Sequence, residues 1–150
     1  MIALVQRVAR AHVVVDGETT GRIGPGLAIL LGVHVEDTGK ERDWVARRCA
    51  KLRIFPDAEG RMNLSVHDAG LEVLVVSQFT LYGDTSKGNR PSFVQAAAPE
   101  HAEPLYNSFC ETLSTLIGKP VATGRFGAMM QVHLINDGPV TLHVEKRATP

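Results

Sequence analysis

The chain has 150 residues, of which 44% are apolar and 21% charged, and its 16 basic and 16 acidic residues give a formal net charge of zero. This is the composition of a folded globular protein, and we expect one domain over residues 1–150. The neutral charge argues against a protein that coats nucleic acid non-specifically, but it permits one that grips only the end of a nucleic acid.

The N-terminal half is predicted to be mostly β-structure. Residues 1–17 have the pattern of two short strands, and the turn-rich residues 17–26 predict hairpins. The glycines of "GRIGPG" (21–26) lack the strand-loop-helix context of a phosphate cradle, so a hairpin is the better interpretation. The apolar run 27–35 predicts a strand that is covered on both faces.

A helix is predicted next, followed by further strands. Thr38 is the expected N-cap of the helix, with Glu41 at capping-box spacing. Residues 53–66 have the pattern of a bent strand with a turn, and "LEVLVVSQF" (71–79) gives the strongest buried-strand signal in the chain.

The C-terminal half is predicted to contain a long loop, a helix and the last strands. Residues 82–98 are polar, rich in glycine and without periodicity, which is typical of a functional or mobile loop. A second helix is expected from about Pro99 to Ile117. Two or three strands follow, over residues 121–126, 128–135 and 140–146. The predicted class is α+β, with a largely antiparallel sheet or barrel-like core and two main helices.

The sequence gives no reason to expect a membrane segment, a disulfide, a metal site or a cofactor. No run approaches the roughly 20 apolar residues of a membrane span, and the N-terminus lacks the layout of a signal peptide, so a cytoplasmic protein is expected. Cys49 and Cys110 fall on apolar faces of predicted helices and are expected to be buried free thiols. None of the six histidines has a partner at H-x-x-x-H spacing.

One strand end concentrates groups that can do chemistry. In "SQFTLYGD" (77–84) the apolar strand ends at Ser77, Gln78 and Thr80, which supply hydroxyl and amide groups. The ending strand also frees backbone N–H groups that can stabilise an oxyanion. The alternative is simple strand termination by polar residues. No G-x-S-x-G motif is present, so an ordinary serine hydrolase is not expected.

A second motif, "NDGPVT" (136–141), has turn chemistry, and its Pro139 cannot donate to a strand ladder. Together with "SQFTL" (77–81) and "RPSF" (90–93), this motif resembles the bacterial D-aminoacyl-tRNA deacylase family. The resemblance extends over essentially the whole chain and includes "ALVQRV" (3–8) and "TGRFGAMMQV" (123–132).

The resemblance implies an enzyme that needs no cofactor and hydrolyses the ester between a D-amino acid and the 3′ end of tRNA. It also implies removal of glycine mischarged on the tRNA for alanine. Members are homodimers in which a cis Gly-Pro bond of one subunit enters the active site of the other. Gly138 and Pro139 would then form the chiral selector, and we expect Arg7 to hold their loop.

The same resemblance implies that Ser77, Gln78, Phe79 and Thr80 form the catalytic site, with backbone N–H groups at Phe79 receiving the oxyanion. Two routes remain open: Thr80 acts as the nucleophile, or the ribose 2′-OH of the tRNA helps to activate a water. Local phosphate contacts are expected from Lys87, Arg90 and Arg125, which otherwise form ordinary solvated surface.

Two other functions compete with this interpretation. One is a non-catalytic, homodimeric nucleic-acid-binding module of the same fold, and the other is a hydrolase of small esters. The first would have no need to keep Ser77, Gln78 and the Gly138-Pro139 pair together, as this chain does.

Overall fold

The fold is a curved six-stranded sheet with two helices packed on one face, as seen in a computed structural model that describes residues 1–150. The helices are α1 (Gly39–Lys51) and α2 (Pro99–Ile117), and a short 3₁₀ helix covers Phe79–Tyr82. The strands are β1 (Ile2–Val15), β2 (Glu18–Ile23), β3 (Gly26–Gly32), β4 (Phe55–Pro56), β5 (Met62–Leu64), β6 (Glu72–Ser77), β7 (Ala122–Thr123) and β8 (Gln131–Glu145).

Strand β1 is the centre of the main sheet. It pairs in antiparallel fashion with β2, β3 and β8, while β3 with β6 and β6 with β7 are parallel pairs. The far ends of the sheet approach each other, since a Cβ atom added to Gly21 of β2 would lie 2.3 Å from the Thr123 carbonyl oxygen of β7. The sheet is therefore mixed and nearly barrel-shaped, and the predicted α+β class is confirmed.

In two places the predicted number of strands was wrong. Residues 1–17 were expected to form two strands but contribute a single strand, β1. Residues 128–135 and 140–146 were likewise expected to be separate, but both belong to β8. In each case the strand continues through an irregularity in the β1–β8 ladder, because the pairing resumes on both sides of it.

The apolar core has two parts, one on each face of the sheet. The larger part lies between the sheet and the two helices and includes Val5, Ile29 and Phe109. The smaller part, on the opposite face, includes Val8 and Leu74. Cys49 and Cys110 are buried free thiols, as expected.

The N-terminus is held by a buried charge pair with Asp37 and by the backbone near the C-terminus. The Met1 ammonium group donates to Asp37 Oδ1 at 2.7 Å and to the Lys146 carbonyl oxygen at 2.7 Å. Both charged groups are fully buried, so removing either one would leave an uncompensated charge, which costs about 3–5 kcal/mol. No helix has the length and apolar character that crossing a membrane requires.

Candidate active site

The predicted catalytic residues lie where two parallel strands end. Strand β6 stops at Ser77, and the Gln78 N–H donates to the Leu31 carbonyl oxygen of β3 at 2.8 Å. The chain then turns into the 3₁₀ helix, which ends where the Gly83 N–H donates to the Thr80 carbonyl oxygen at 2.9 Å. We call residues 77–80 the Gln78 turn. Clefts at the carboxyl ends of parallel strands are common ligand sites, because side chains and loops converge there.

The Gln78 turn presents backbone donors to solvent. The N–H groups of Phe79 and Thr80 begin the 3₁₀ helix, where no preceding turn supplies an intrahelical acceptor. Both residues are exposed, and their N–H groups are the candidate donors to an oxyanion.

The side chains of the Gln78 turn bond to each other. The Gln78 side-chain amide donates to the Thr80 hydroxyl oxygen. That amide cannot accept the Thr80 proton as a base would, and the Thr80 hydroxyl has no hydrogen bond to an imidazole or a carboxylate.

An aromatic pair forms one wall beside the turn. The rings of Phe79 and Phe93 meet edge to face, with centroids 5.1 Å apart, and the side chains are 58% and 37% exposed. A Cβ atom on Gly83 would lie 3.1 Å from the Phe93 ring, so glycine allows the ring to approach the backbone. Phe93 was noted only as part of a motif, and two exposed phenylalanines flanking a polar turn are the signal that could have assigned it to the site.

The loop of residues 82–98 is closed by its own backbone bonds and is held against the body of the protein near its C-terminal end. Asp84 and Ser92, both within the loop, form an isolated β-bridge, and the Ala97 N–H donates to the Val33 carbonyl oxygen at 2.9 Å. These contacts place Phe93 beside the Gln78 turn. Lys87 and Arg90 are exposed on the same loop and form no ion pair, and the same is true of Arg125 elsewhere in the chain.

The second motif is a bulge in the edge strand β8. Gln6 of β1 pairs with Thr141 and Val8 pairs with Asn136, so four residues of β8 stand opposite Arg7 alone. We call residues 137–140 the Gly-Pro bulge. The Gly138-Pro139 peptide bond is cis, and both residues are exposed.

Two side chains fix this bulge. Asn136 closes its base, since Oδ1 accepts from the Val140 N–H at 2.8 Å and Nδ2 donates to the Val140 carbonyl oxygen at 3.1 Å. Arg7 donates from Nε to the Asp137 carbonyl oxygen at 2.9 Å and from a terminal nitrogen to the Ile54 carbonyl oxygen at 2.7 Å. Arg7 was predicted from the sequence to contact this loop, whereas Asn136 was read only as part of a turn. Asparagine at the start of a turn commonly bonds to nearby backbone, which is the signal that could have found it.

Within one chain the two motifs are far apart. The Gln78 N–H bonds to Leu31 of β3, which pairs with Ala3 of β1, whereas the Gly-Pro bulge stands opposite Arg7 of β1. The two motifs are therefore offset along β1. They are also separated across the sheet, because β1 and β3 lie between β8 and β6. Strand spacings place them about 20 Å apart. The fold therefore brings Ser77, Gln78, Phe79 and Thr80 together, but it does not bring Gly138 and Pro139 of the same chain to them.

Comparison with known proteins identifies the family. The family model described as D-Tyr-tRNA(Tyr) deacylase matches residues 4–145. The chain belongs to this family. A D-aminoacyl-tRNA deacylase of Salinibacter ruber is 59% identical over 148 residues, which cover 99% of each chain. Another from Chloroherpeton thalassium is 56% identical over 145 residues, covering 97% of this chain and 95% of that protein.

Solved structures share the fold of this chain. A structure titled c-Myc DNA Unwinding Element Binding Protein superposes with a TM-score of 0.94 at 47% identity and covers 99% of this chain and 100% of that one. A probable eukaryotic D-amino acid tRNA deacylase has a TM-score of 0.83 at 19% identity, covers 97% of this chain and 98% of its own, and thereby shares the fold.

Proposed function

We propose that this protein hydrolyses the ester of D-aminoacyl-tRNA, releasing a D-amino acid and tRNA. The observation that carries the proposal is the 59% identity to a D-aminoacyl-tRNA deacylase over nearly the full length of both chains. The Gln78 turn supports it, because it offers exposed backbone donors at a strand end where an ester carbonyl can approach.

In the proposed chemistry the ester carbonyl oxygen lies against the N–H groups of Phe79 and Thr80. These donors stabilise the negative charge that develops on this oxygen when the carbonyl carbon is attacked. Losing one such donor typically costs about 100- to 1,000-fold in turnover. Backbone donors need no side chain, which agrees with the absence of a serine-hydrolase motif.

Water is the proposed attacking group. The Thr80 hydroxyl bonds to the Gln78 amide and to no base, so nothing in the turn activates it as a nucleophile. The ribose 2′-OH next to the ester then orients and activates the water. We therefore expect Thr80→Ala to keep near-normal turnover, whereas a substrate ending in 2′-deoxyadenosine should be hydrolysed much more slowly.

The proposed enzyme is a homodimer in which each active site is shared. Its Gly-Pro bulge is about 20 Å from the Gln78 turn of the same chain, which supports a role at another chain's turn. Strand β8 pairs with β1 alone, and its other edge is free to meet a partner. Apolar side chains exposed on or beside β8 fit such an interface: Met129, Val132, Ile135 and Leu142.

The Gly-Pro bulge is the proposed chiral selector. Once the amino group and the ester of the substrate are fixed, the L- and D-isomers differ in the direction of the side chain. A rigid wall that blocks one direction discriminates by repulsion, which is stronger than a pocket that merely attracts the other. Glycine has no side chain to reject, so glycine carried on the tRNA for alanine should also be released.

One observation favours a second candidate function. The neighbour with 47% identity has a title that describes DNA binding, and a nucleic-acid-binding module of this fold would need no catalysis. A small-ester hydrolase is the remaining alternative, since the Gln78 turn does not itself require RNA.

The deciding experiment measures deacylation of D-Tyr-tRNA, L-Tyr-tRNA and glycine on the alanine tRNA by the purified protein. We expect hydrolysis of the D-tyrosyl and glycyl esters and only spontaneous loss of the L-tyrosyl ester. Equal rates for the D- and L-tyrosyl esters would contradict the selector. No rate above background on any substrate would favour the binding module, and equal kcat/KM for D-tyrosine methyl ester would favour the small-ester hydrolase.

A further inference from the structure

A row of basic side chains crosses three strands of the sheet, away from the Gln78 turn. His12 of β1 stands opposite Arg22 of β2 on one side and opposite His133 of β8 on the other. Residues opposite each other in register share one face of a sheet, and Arg10 lies on that face because it is two residues from His12. We call Arg10, His12, Arg22 and His133 the basic row.

The basic row has no acidic partner. Neither Arg10 nor Arg22 forms an ion pair, whereas Arg7, Arg42, Arg61 and Arg147 each do. Arg10, Arg22 and His133 are exposed. The chain as a whole carries no net charge, so the positive charge of the basic row is a local feature of this part of the surface.

The two imidazoles of the row are stacked. Their ring centroids are 4.3 Å apart and their planes differ by 5°. Desolvation lowers the pKa of His12, and the neighbouring charges of His133, Arg22 and Arg10 lower it further. Each of these groups opposes a proton on His12, so an anion is the ligand that would relieve the repulsion.

The basic row continues along β8 towards the Gly-Pro bulge. Arg10 pairs with Ile135, only three residues before Gly138, which corresponds to about 10 Å along a strand. With the bulge in the partner subunit's active site, the basic row lies beside the part of a bound tRNA that extends out of that site. This step rests on the proposed function.

We propose that the basic row binds backbone phosphates of the tRNA acceptor end whose 3′ ester lies in the Gln78 turn of the partner subunit. One subunit then supplies the catalytic turn, while the other supplies both the selector and a phosphate-binding surface. Arginine provides permanent charge for the phosphates, and the His12 imidazole adds charge when it takes up a proton.

The test compares two double variants that lose the same charge. Arg10→Gln/Arg22→Gln removes the two permanent charges of the row, and Arg47→Gln/Lys51→Gln removes two exposed charges from α1 as the control. Binding of fluorescently labelled tRNA that carries no amino acid is measured between 50 and 200 mM salt. Hydrolysis of D-tyrosyl-adenosine, which lacks the acceptor-end phosphates, is measured in parallel.

We expect the row variant to bind tRNA roughly tenfold more weakly than the parent at low salt. The slope of log affinity against log salt concentration should be shallower by about 2 than the slope of the parent. Its kcat/KM for D-tyrosyl-adenosine should stay at the parent value, and the control variant should match the parent in both assays. An unchanged salt slope in the row variant would overturn the proposal. So would loss of binding to duplex DNA with tRNA binding intact, since the row would then be a DNA surface.

A pH series provides an independent check. Because a bound phosphate favours the protonated His12 imidazole, tRNA affinity should rise as the pH falls from 8 to 6 and should rise less in His12→Gln. An equal rise in this variant would contradict a role for His12. Failure of the deacylase function would appear separately, as a parent protein that binds tRNA but does not hydrolyse D-tyrosyl-adenosine.

Discussion

Gly138 is a position where a single methyl group should disturb the proposed selector. Its φ is +155°, and a Cβ atom there would lie 2.6 Å from the Val140 backbone nitrogen. Gly138→Ala must therefore shift the Gly-Pro bulge. We expect a folded protein whose kcat/KM for D-Tyr-tRNA falls, by as much as roughly 100-fold if the shift approaches 1 Å, and whose preference over L-Tyr-tRNA narrows. Deacylation kinetics with both substrates measure this.

The matched control for this variant is Gly127→Ala. Gly127 also has a positive φ, of +74°, but a Cβ atom there meets no other atom within 4 Å. Alanine is strained by a positive φ at this position too, but without a clash at the bulge, so kinetics close to the parent are expected. If both variants lost discrimination equally, backbone strain in general and not the position of the bulge would explain the result.

The two thiols should be inert in the native protein. Burial raises the pKa of Cys49 to about 12 and that of Cys110 to about 11, so the nucleophilic thiolate is scarce at pH 8. We expect neither residue to react with iodoacetamide at pH 8, and both to react once urea unfolds the chain. Mass spectrometry gives the number of modified sites. A thiol modified in the native protein at pH 8 would contradict this burial.

At the scale of the element, the Gly-Pro bulge is held in place by hydrogen bonds between Asn136 and Val140. Asn136→Ala removes two hydrogen bonds to Val140, which together contribute about 2 kcal/mol to the free energy of unfolding. We expect a lower stability in urea and a larger fraction of L-Tyr-tRNA hydrolysed, because the selector loses its fixed position.

Two further variants separate the bulge from general effects on β8. Gln6→Ala loses a 3.3 Å hydrogen bond to the Thr141 hydroxyl, beside the bulge, and should leave discrimination intact. Asn136→Asp keeps the acceptor for the Val140 N–H but loses the donor, and intermediate discrimination is expected. Full discrimination in Asn136→Ala would show that Arg7 alone positions the bulge.

Elements with local signals were predictable from the sequence, whereas those that depend on distant partners were not. Thr38 and Glu41 predicted the start of α1, and the capping box is present because all its atoms lie within one turn. The "NDGP" segment was interpreted as a turn between two separate strands, yet β1 pairs with β8 on both sides of it. Local residues indicate where a backbone can turn, but not whether a partner strand carries the ladder past the irregularity.

The candidate site divides in the same way. Ser77, Gln78, Phe79 and Thr80 are consecutive, so the sequence alone placed them together. Phe93 reaches them only through the path of the 82–98 loop, which spacing along the chain does not encode, and this is why it was missed. The Asn136 contact with Val140 is local, and it was missed because the segment was interpreted only as a turn.

At the scale of the whole molecule, the separation of the two motifs gives the proposed dimer a testable consequence. In the proposed dimer each complete site combines Gln78 from one chain with Pro139 from the other, which agrees with their separation of about 20 Å within a chain. The Gln78 side-chain amide lies beside the proposed oxyanion donors of Phe79 and Thr80, so Gln78→Ala homodimers should hydrolyse D-Tyr-tRNA much more slowly than the parent. Pro139→Ala homodimers should remain active but accept L-Tyr-tRNA.

Mixed dimers of these two variants, purified with two different affinity tags, should regain one native site. That site combines Gln78 of the Pro139→Ala chain with Pro139 of the Gln78→Ala chain, and the second site carries both changes. We therefore expect about half of the parental D-Tyr-tRNA activity with parental discrimination against L-Tyr-tRNA, because the doubly altered site contributes little. Mixed dimers that hydrolyse L-Tyr-tRNA as readily as Pro139→Ala homodimers would mean that the selector acts within its own chain.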